Sequence, residues 1–239
     1  MRYAIYLLLL PGLSAPALAQ DSSDAQDENR NIDLTVLAGT DYVRGQIEGQ
    51  DYETVSASAG VAIAKGRFSL SASVPYLVTT APENLIVSQG GLLGSPIFAT
   101  PVSQSARVRR EGVGDLSLQA AYHLPVRGVE ATIAGSAKVP TASRQKGLGS
   151  GEFDYGVSGR LSKSFGSIIP FVSAGYTIVG QPEGFTVRNT LSGSAGARFR
   201  PSQSSMVSLS YAYEQSATDI IGDRQSVGVG LGTQLAPRL

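Results

Sequence analysis

The sequence predicts an all-β membrane protein: a transmembrane, antiparallel up-and-down β-barrel of ten strands with both termini periplasmic. Three observations carry this. Segments of about ten residues alternate in polarity along most of the chain, tight and long connections alternate between them, and aromatic residues collect at two levels of the outward faces. Composition agrees: of 239 residues, 42% are hydrophobic and 16% charged, with 28 Gly, no Cys and no Trp. That make-up suits strands with one apolar and one small polar face. Mean hydropathy is +0.03, and beyond the N-terminus no run approaches the roughly 20 apolar residues a membrane helix needs, which excludes a multi-span helical transporter. Nineteen basic against 19 acidic residues give no electrostatic case for nucleic acid. The absence of Cys removes disulfide scaffolds, thiolate metal sites and cysteine nucleophiles.

Residues 1–19 read as a signal peptide. Arg2 opens it, an apolar run covers 3–10, Pro11 and Gly12 break the run, and Ala17-Leu18-Ala19 matches a small-residue cleavage site, so removal after Ala19 is expected. The apolar run is too short to anchor the chain. Residues 20–31, with Asp21, Asp24, Asp27 and Glu28, form a polar, solvated periplasmic tail. Residues 32–239 make the barrel, with strands expected at 32–42, 53–64, 68–76, 114–124, 129–139, 153–165, 168–179, 187–199, 206–215 and 225–235. The clearest is 68–76, where Phe68, Leu70, Ala72, Val74 and Tyr76 share one face and Ser69, Ser71 and Ser73 the other.

The links at 65–66, 125–128, 166–167 and 201–205 are tight, whereas those at 43–52, 77–113, 140–152, 180–186 and 216–224 are longer. Outer-membrane barrels have short periplasmic turns and long extracellular loops, which fixes the orientation. The alternative is twelve strands, with another hairpin inside the long extracellular loop 77–113. That loop is unusually apolar, carrying Leu85, Ile86, Leu92, Leu93 and Phe98, and is expected to plug the barrel or pack over its mouth.

Hairpin register supplies an independent check, because a tight turn keeps the sum of paired residue numbers constant and must bring like faces together. A Lys65-Gly66 turn pairs Ile63 with Phe68 and Val61 with Leu70; a Gly166-Ser167 turn pairs Leu161 with Val172 and Val157 with Tyr176. Both match apolar residues. Aromatic girdles follow from the same topology, with Tyr42, Tyr76, Tyr155 and Tyr213 at the extracellular ends and Phe68, Tyr122, Phe165 and Phe199 at the periplasmic ends.

Within 112–180, Gly112-Val113-Gly114-Asp115-Leu116, Lys138-Val139-Pro140-Thr141, Leu148-Gly149-Ser150-Gly151 and Gly175-Tyr176-Thr177 resemble the MetA-pathway-of-phenol-degradation family of outer-membrane transporters. Ala142 stands where that pattern has Gly. The resemblance implies a bacterial outer-membrane barrel that admits a small solute, aromatic or apolar in character.

Candidate solute-facing residues lie on the inward faces. A four-residue loop at 125–128 sets Asp115 opposite Lys138, Gln119 opposite Ala134 and His123 opposite Glu130, and Arg160 also faces inward. An Asp115–Lys138 pair either neutralises charge at the rim or narrows the entrance and sets its selectivity. At the mouth, Phe98 belongs to the apolar loop, and Arg107, Arg109 and Arg110 are placed to meet lipopolysaccharide phosphates or anionic solutes. The lone His123 lies at the periplasmic end, away from any extracellular His–Asp constellation, so no catalytic residues are expected. The Gly147, Gly149 and Gly151 run lacks the context of a phosphate loop, and no cluster of metal-ligand spacing appears; no cofactor or metal is expected. The expected partners are outer-membrane lipid, lipopolysaccharide and a small solute. Passive uptake is the first expectation, and a filled barrel presenting its loops to a partner the alternative.

Overall fold

In the computed structural model the described residues are 2–7, 32–47, 50–83, 85–87, 97–99, 106–202, 205–219 and 222–233. They form β1 (Arg2–Leu7), β2 (Asp33–Ile47), β3 (Gln50–Lys65), β4 (Phe68–Pro82), β5 (Leu85–Val87), β6 (Ile97–Ala99), β7 (Arg107–Val113), β8 (Leu116–Leu124), β9 (Glu130–Val139), β10 (Asp154–Ser162), β11 (Ile168–Ile178), β12 (Thr190–Phe199), β13 (Ser205–Glu214) and β14 (Arg224–Thr233). A 12-stranded sheet runs in the order β1-β2-β3-β4-β8-β9-β10-β11-β12-β13-β14, with β7 also paired to β4, and β5–β6 stand apart as a two-stranded sheet. From β2 onward every pairing in this sheet is antiparallel, and apart from β4, which skips β5 and β6 to pair with β7 and β8, each is between neighbours in the chain, as in an up-and-down meander.

Each segment expected to be a strand is one. The two additional members of the sheet are β1 and β7. The hairpin inside 77–113 exists as β5–β6 but does not join the main sheet, so it does not supply the pair of strands that the twelve-strand alternative required. β1 falls within the expected signal peptide and pairs in parallel with β2; an exposed sheet edge offers unpaired backbone groups that an apolar run of chain satisfies. The remainder of the leader and the polar tail lie outside the described residues.

Several expected connections are shorter than the polarity pattern suggests. The β2–β3 ladder continues to Ile47↔Gln50, and β4 extends to Pro82. Polarity alternation records which parts of a strand have two different environments, whereas backbone pairing needs no such contrast and runs on beyond it.

Register is correct at one tight turn and displaced at two others. Leu161↔Val172, Val157↔Tyr176 and Tyr155↔Ile178 pair as expected. Across β3–β4, however, Ile63 faces Leu70 and Val61 faces Ala72, because the turn is Gly66-Arg67 and not Lys65-Gly66. Gly66 has φ 57° and Gly166 φ 63°; primed hairpin turns require positive φ at their first central residue, which is where both glycines sit. Across β8–β9 the displacement is again two: Gln119 faces Ser136, not Ala134, and His123 faces Thr132, not Glu130. A shift of two preserves parity, so every side chain stays on its expected face.

Those faces are inverted relative to a water-soluble protein. Phe68, Leu70, Val157, Val172, Leu209 and Val227 are exposed, with Leu70 at 61% and Val227 at 68%. The sheltered face carries Thr35, Thr54, Ser56, Thr79, Ser162, Ser194 and Ser210, cross-linked by hydroxyl hydrogen bonds such as Thr54 with Thr79 at 2.7 Å and Ser173 with Ser194 at 2.6 Å. A sheet whose polar side is its sheltered side curls around that side. Tyr76, Tyr155 and Tyr213 are exposed toward one end of the strands and Phe68, Phe165 and Phe199 toward the other. Tyr122 is half-buried and packs against Phe68 at 4.7 Å between ring centroids. The side chain of Tyr42 lies outside the described residues.

Candidate functional site

The sheltered face holds two charged clusters, one at each end of the strands. The first begins with a bulge. Tyr76 faces Val113 and Ser73 faces Ser117, so between these pairs β4 advances three residues while its partner advances four. β7 and β8 are therefore one strand interrupted by a single extra residue. Gly114 approaches β4 closely there: its N–H donates to the Pro75 carbonyl at 2.8 Å, and a Cβ would meet Pro75 Cγ at 2.7 Å. The bulge reverses which parity faces inward. Gly112 and Arg110 fall on the sheltered side opposite Leu77 and Thr79, and Asp115 is fully buried.

Asp115 is not opposite Lys138, because the shift of two pairs Lys138 with Ser117; from near the end of β9 the Lys138 side chain nevertheless reaches Asp115, with Nζ 3.6 Å from Oδ2. Its nearer partner is Asp154 at the start of β10, 2.8 Å away, and Nζ also donates to Ser150 Oγ at 2.9 Å. Direct pairing of Lys138 with Asp154 across β9–β10 brings the second carboxylate in. Lys138 is 1% exposed and Asp115 0%. The other carboxylate oxygens serve as acceptors for the backbone: Asp115 Oδ1 takes the Ala142 N–H at 2.9 Å, and Asp154 Oδ1 the Gly180 N–H at 2.8 Å.

The segment 140–153 is thus folded onto the cluster and is not a free loop. Thr141 Oγ donates to the Gly114 carbonyl and accepts from the Leu116 N–H. Leu148 is fully buried against Gly112, and a Cβ on Gly149 would lie 2.7 Å from Ala142 Cβ and 3.0 Å from both Asp115 carboxylate oxygens. The sequence motifs in this region therefore converge on one structural lock. Asp154 and Ser150 are members that sequence reasoning misses.

An apolar cluster lies at the same end of the strands. Val179, Val187 and Ala217 are buried together, with Phe185 and Ile86 packed on them. Ile86 belongs to β5, in the connection after β4, and the others to the connections after β11 and β13. Packing of Ile86 on this cluster brings β5 against the connections after β11 and β13. Arg188 ties two of the loops, donating through Nε to the Ser216 carbonyl at 2.8 Å and pairing with Asp219 at 2.7 Å. Arg110 points inward and donates to the Pro82 and Glu83 carbonyls, whereas Arg107 and Arg109 are exposed near Glu53 and Glu111. The three arginines therefore do not act as one basic patch. The Phe98 side chain lies outside the described residues.

At the opposite end, beside the tight turns, His123 Nδ1 and Thr132 Oγ lie 3.1 Å apart. Glu130 turns to β10 and β12 instead: it accepts from Ser162 Oγ at 2.8 Å and lies 3.9 Å from Arg198 Nη2. Arg160 stacks over the buried Phe171 ring, its guanidinium carbon 4.1 Å from the centroid, and Arg198 approaches the same ring at 6.0 Å. Gly196 makes room, since a Cβ there would meet Phe171 Cζ at 2.8 Å. Gln119 lies higher on the same face, opposite Ser71 and Ser136. Arg198 and Phe171 carry no motif. Inward parity on 187–199 and 168–179, which assigns both residues to the face of Arg160, is the signal that finds them.

Among the described residues no group of His, Asp and Glu is arranged to hold a metal ion. No family model matches the chain, and no curated protein matches it. Among solved structures the chain is similar to the translocator domain of the autotransporter NalP from Neisseria meningitidis, with 17% identity over 88% of this chain and 91% of that one, and a TM-score of 0.44.

Proposed function

We propose that the chain is a bacterial outer-membrane β-barrel of ten strands, with tight turns in the periplasm, that passively admits a small solute. The inverted surface supports this reading most strongly: a continuous belt of exposed apolar side chains around a sheltered polar face is stable only when an apolar phase surrounds the sheet. In that phase no strand edge is left open. β14 closes onto β2 once removal of the leader frees the edge that β1 occupies. The interior between the two charged clusters is lined by Ser, Ala, Gly and Thr, including Ser136, Ser158, Ser173 and Ser194, which leaves more room than bulky residues leave. Arg107 and Arg109, exposed at the long-loop end, are placed to meet lipopolysaccharide phosphates. The resemblance to the MetA-pathway-of-phenol-degradation family supports an aromatic or apolar solute. The reading assigns no catalytic step and no cofactor.

A second reading is a filled barrel that displays its loops to a partner. The buried Lys138 cluster and the apolar cluster at the same end favour it, since both obstruct the long-loop end. Single-channel recording in planar bilayers separates the two. Discrete conductance steps from the purified chain are expected for uptake; an inserted, folded protein that never conducts favours the filled barrel.

A further inference from the structure

The cluster at the tight-turn end carries more positive charge than its surroundings balance. Arg198 is 6% exposed and its nearest carboxylate, Glu130, is itself 59% exposed and 3.9 Å away. Among the described residues no carboxylate lies within ion-pair distance of Arg160, which rests on the Phe171 ring and feels Glu130 only from further away. The Nε–H groups of both arginines are buried without a hydrogen-bond partner among the described residues. Two guanidiniums on one ring repel each other, and a buried, unmatched donor on a charged group is costly. Water in a lumen satisfies a donor but does not supply the missing negative charge. Ser162 Oγ lies between the two parts of the cluster, 3.5 Å from Arg198 Nη2, and adds a neutral polar group to the same rim. The ring holds the planar forks in fixed orientation, which is the arrangement that recognises an oxyanion through paired N–H···O bonds.

We propose that Arg160 and Arg198, oriented by Phe171, form a binding site for the oxyanion of a small solute, a carboxylate or a phosphate, at the periplasmic end of the lumen. This deepens the uptake reading and rests on it for the direction of passage. Under it the transported solute is a small acid bound in its ionised form, and the site lies where a solute leaves the barrel.

The test is calorimetric titration of the full chain, folded in detergent micelles, with benzoate, acetate and phosphate, using phenol as the uncharged control. Benzoate binding without phenol binding is expected, with at least a tenfold loss of affinity in Arg160→Gln and in Arg198→Gln and no change in Arg67→Gln, an exposed turn residue at the same end. Binding of benzoate and acetate alone marks a carboxylate solute; binding of phosphate as well marks a general oxyanion site. Arg160→Lys and Arg198→Lys retain the charge and lose the planar fork, so a weakened benzoate affinity in these variants carries the test if a glutamine variant does not fold. Failure of the folded wild type to bind any of the three anions, or equal affinity in wild type and all four variants, overturns the site. Conductance without anion binding removes the site and leaves passive uptake standing; anion binding without conductance keeps the site and removes passive uptake.

Discussion

Lys138 places a full positive charge where water does not reach, and Asp115 and Asp154 make that position tenable. Removing it leaves two carboxylates buried together, so Lys138→Met is expected to destabilise the folded chain by about 3–5 kcal/mol, measured by urea unfolding in lipid vesicles. The triple variant with Asp115→Asn and Asp154→Asn should recover most of that loss, because no unmatched charge remains. A Lys138→Met variant as stable as wild type would show the cluster to be energetically idle. The same burial implies that the cluster does not face permeating ions: wild type, Lys138→Gln and Asp115→Asn should give the same reversal potential in any that fold and conduct. That Asp115 and Lys138 share a face was legible because each has inward parity on its strand; their register was not, being displaced by two. Asp154 and Ser150 were not, since a long connection separates them from Lys138 and no tight turn fixes register across it. Nor does sequence parity reveal the bulge at Gly114, which moves Arg110 inward and away from Arg107 and Arg109.

At the scale of elements, tight turns governed what could be read. Gly at the first central position explains both the correct register at Gly166-Ser167 and the displaced one at Gly66-Arg67. The longer connections are held by side chains, which alternation does not report. Asp223, between β13 and β14, is such a clamp: it accepts the Tyr213 hydroxyl and the Ser216 N–H. The Tyr213 hydrogen bond, then the Ser216 backbone bond, hold its carboxyl below the usual aspartate value of 3.8. A depressed carboxyl stabilises the loop above its ordinary value and loses that contribution as pH falls through the lowered one. Hydrogen-exchange protection of the Ser216 amide is therefore expected to be intact at about pH 5 and to be lost only as the pH falls below the ordinary aspartate value of 3.8. The Asp223→Ala variant should lack that protection at both. Protection that is independent of pH in wild type would mean that another group holds the loop.

For the molecule as a whole, inversion of the two faces is the decisive property, and it was the most legible, because a register error of two leaves every side chain on its proper side. If the outward face meets the membrane as proposed, an arginine there near mid-strand enters an apolar phase, whereas one on the inward face meets polar side chains. Leu70→Arg is expected to cost about 2–4 kcal/mol of folding stability or to block insertion, with Ser71→Arg tolerated better; equal effects would mean that facing is not set by the membrane. The most direct measurement uses the absence of cysteine. Single cysteines placed in turn from Phe68 through Tyr76, spin-labelled in the folded protein in lipid vesicles, report contact with oxygen dissolved in lipid and with a water-soluble paramagnetic complex. High oxygen accessibility is expected at 68, 70, 72, 74 and 76 and low values at 69, 71 and 73, with a period of two. Uniform accessibility along the segment, or a water-exposed face at Leu70 and Val74, would contradict a sheet that turns its apolar side to the membrane.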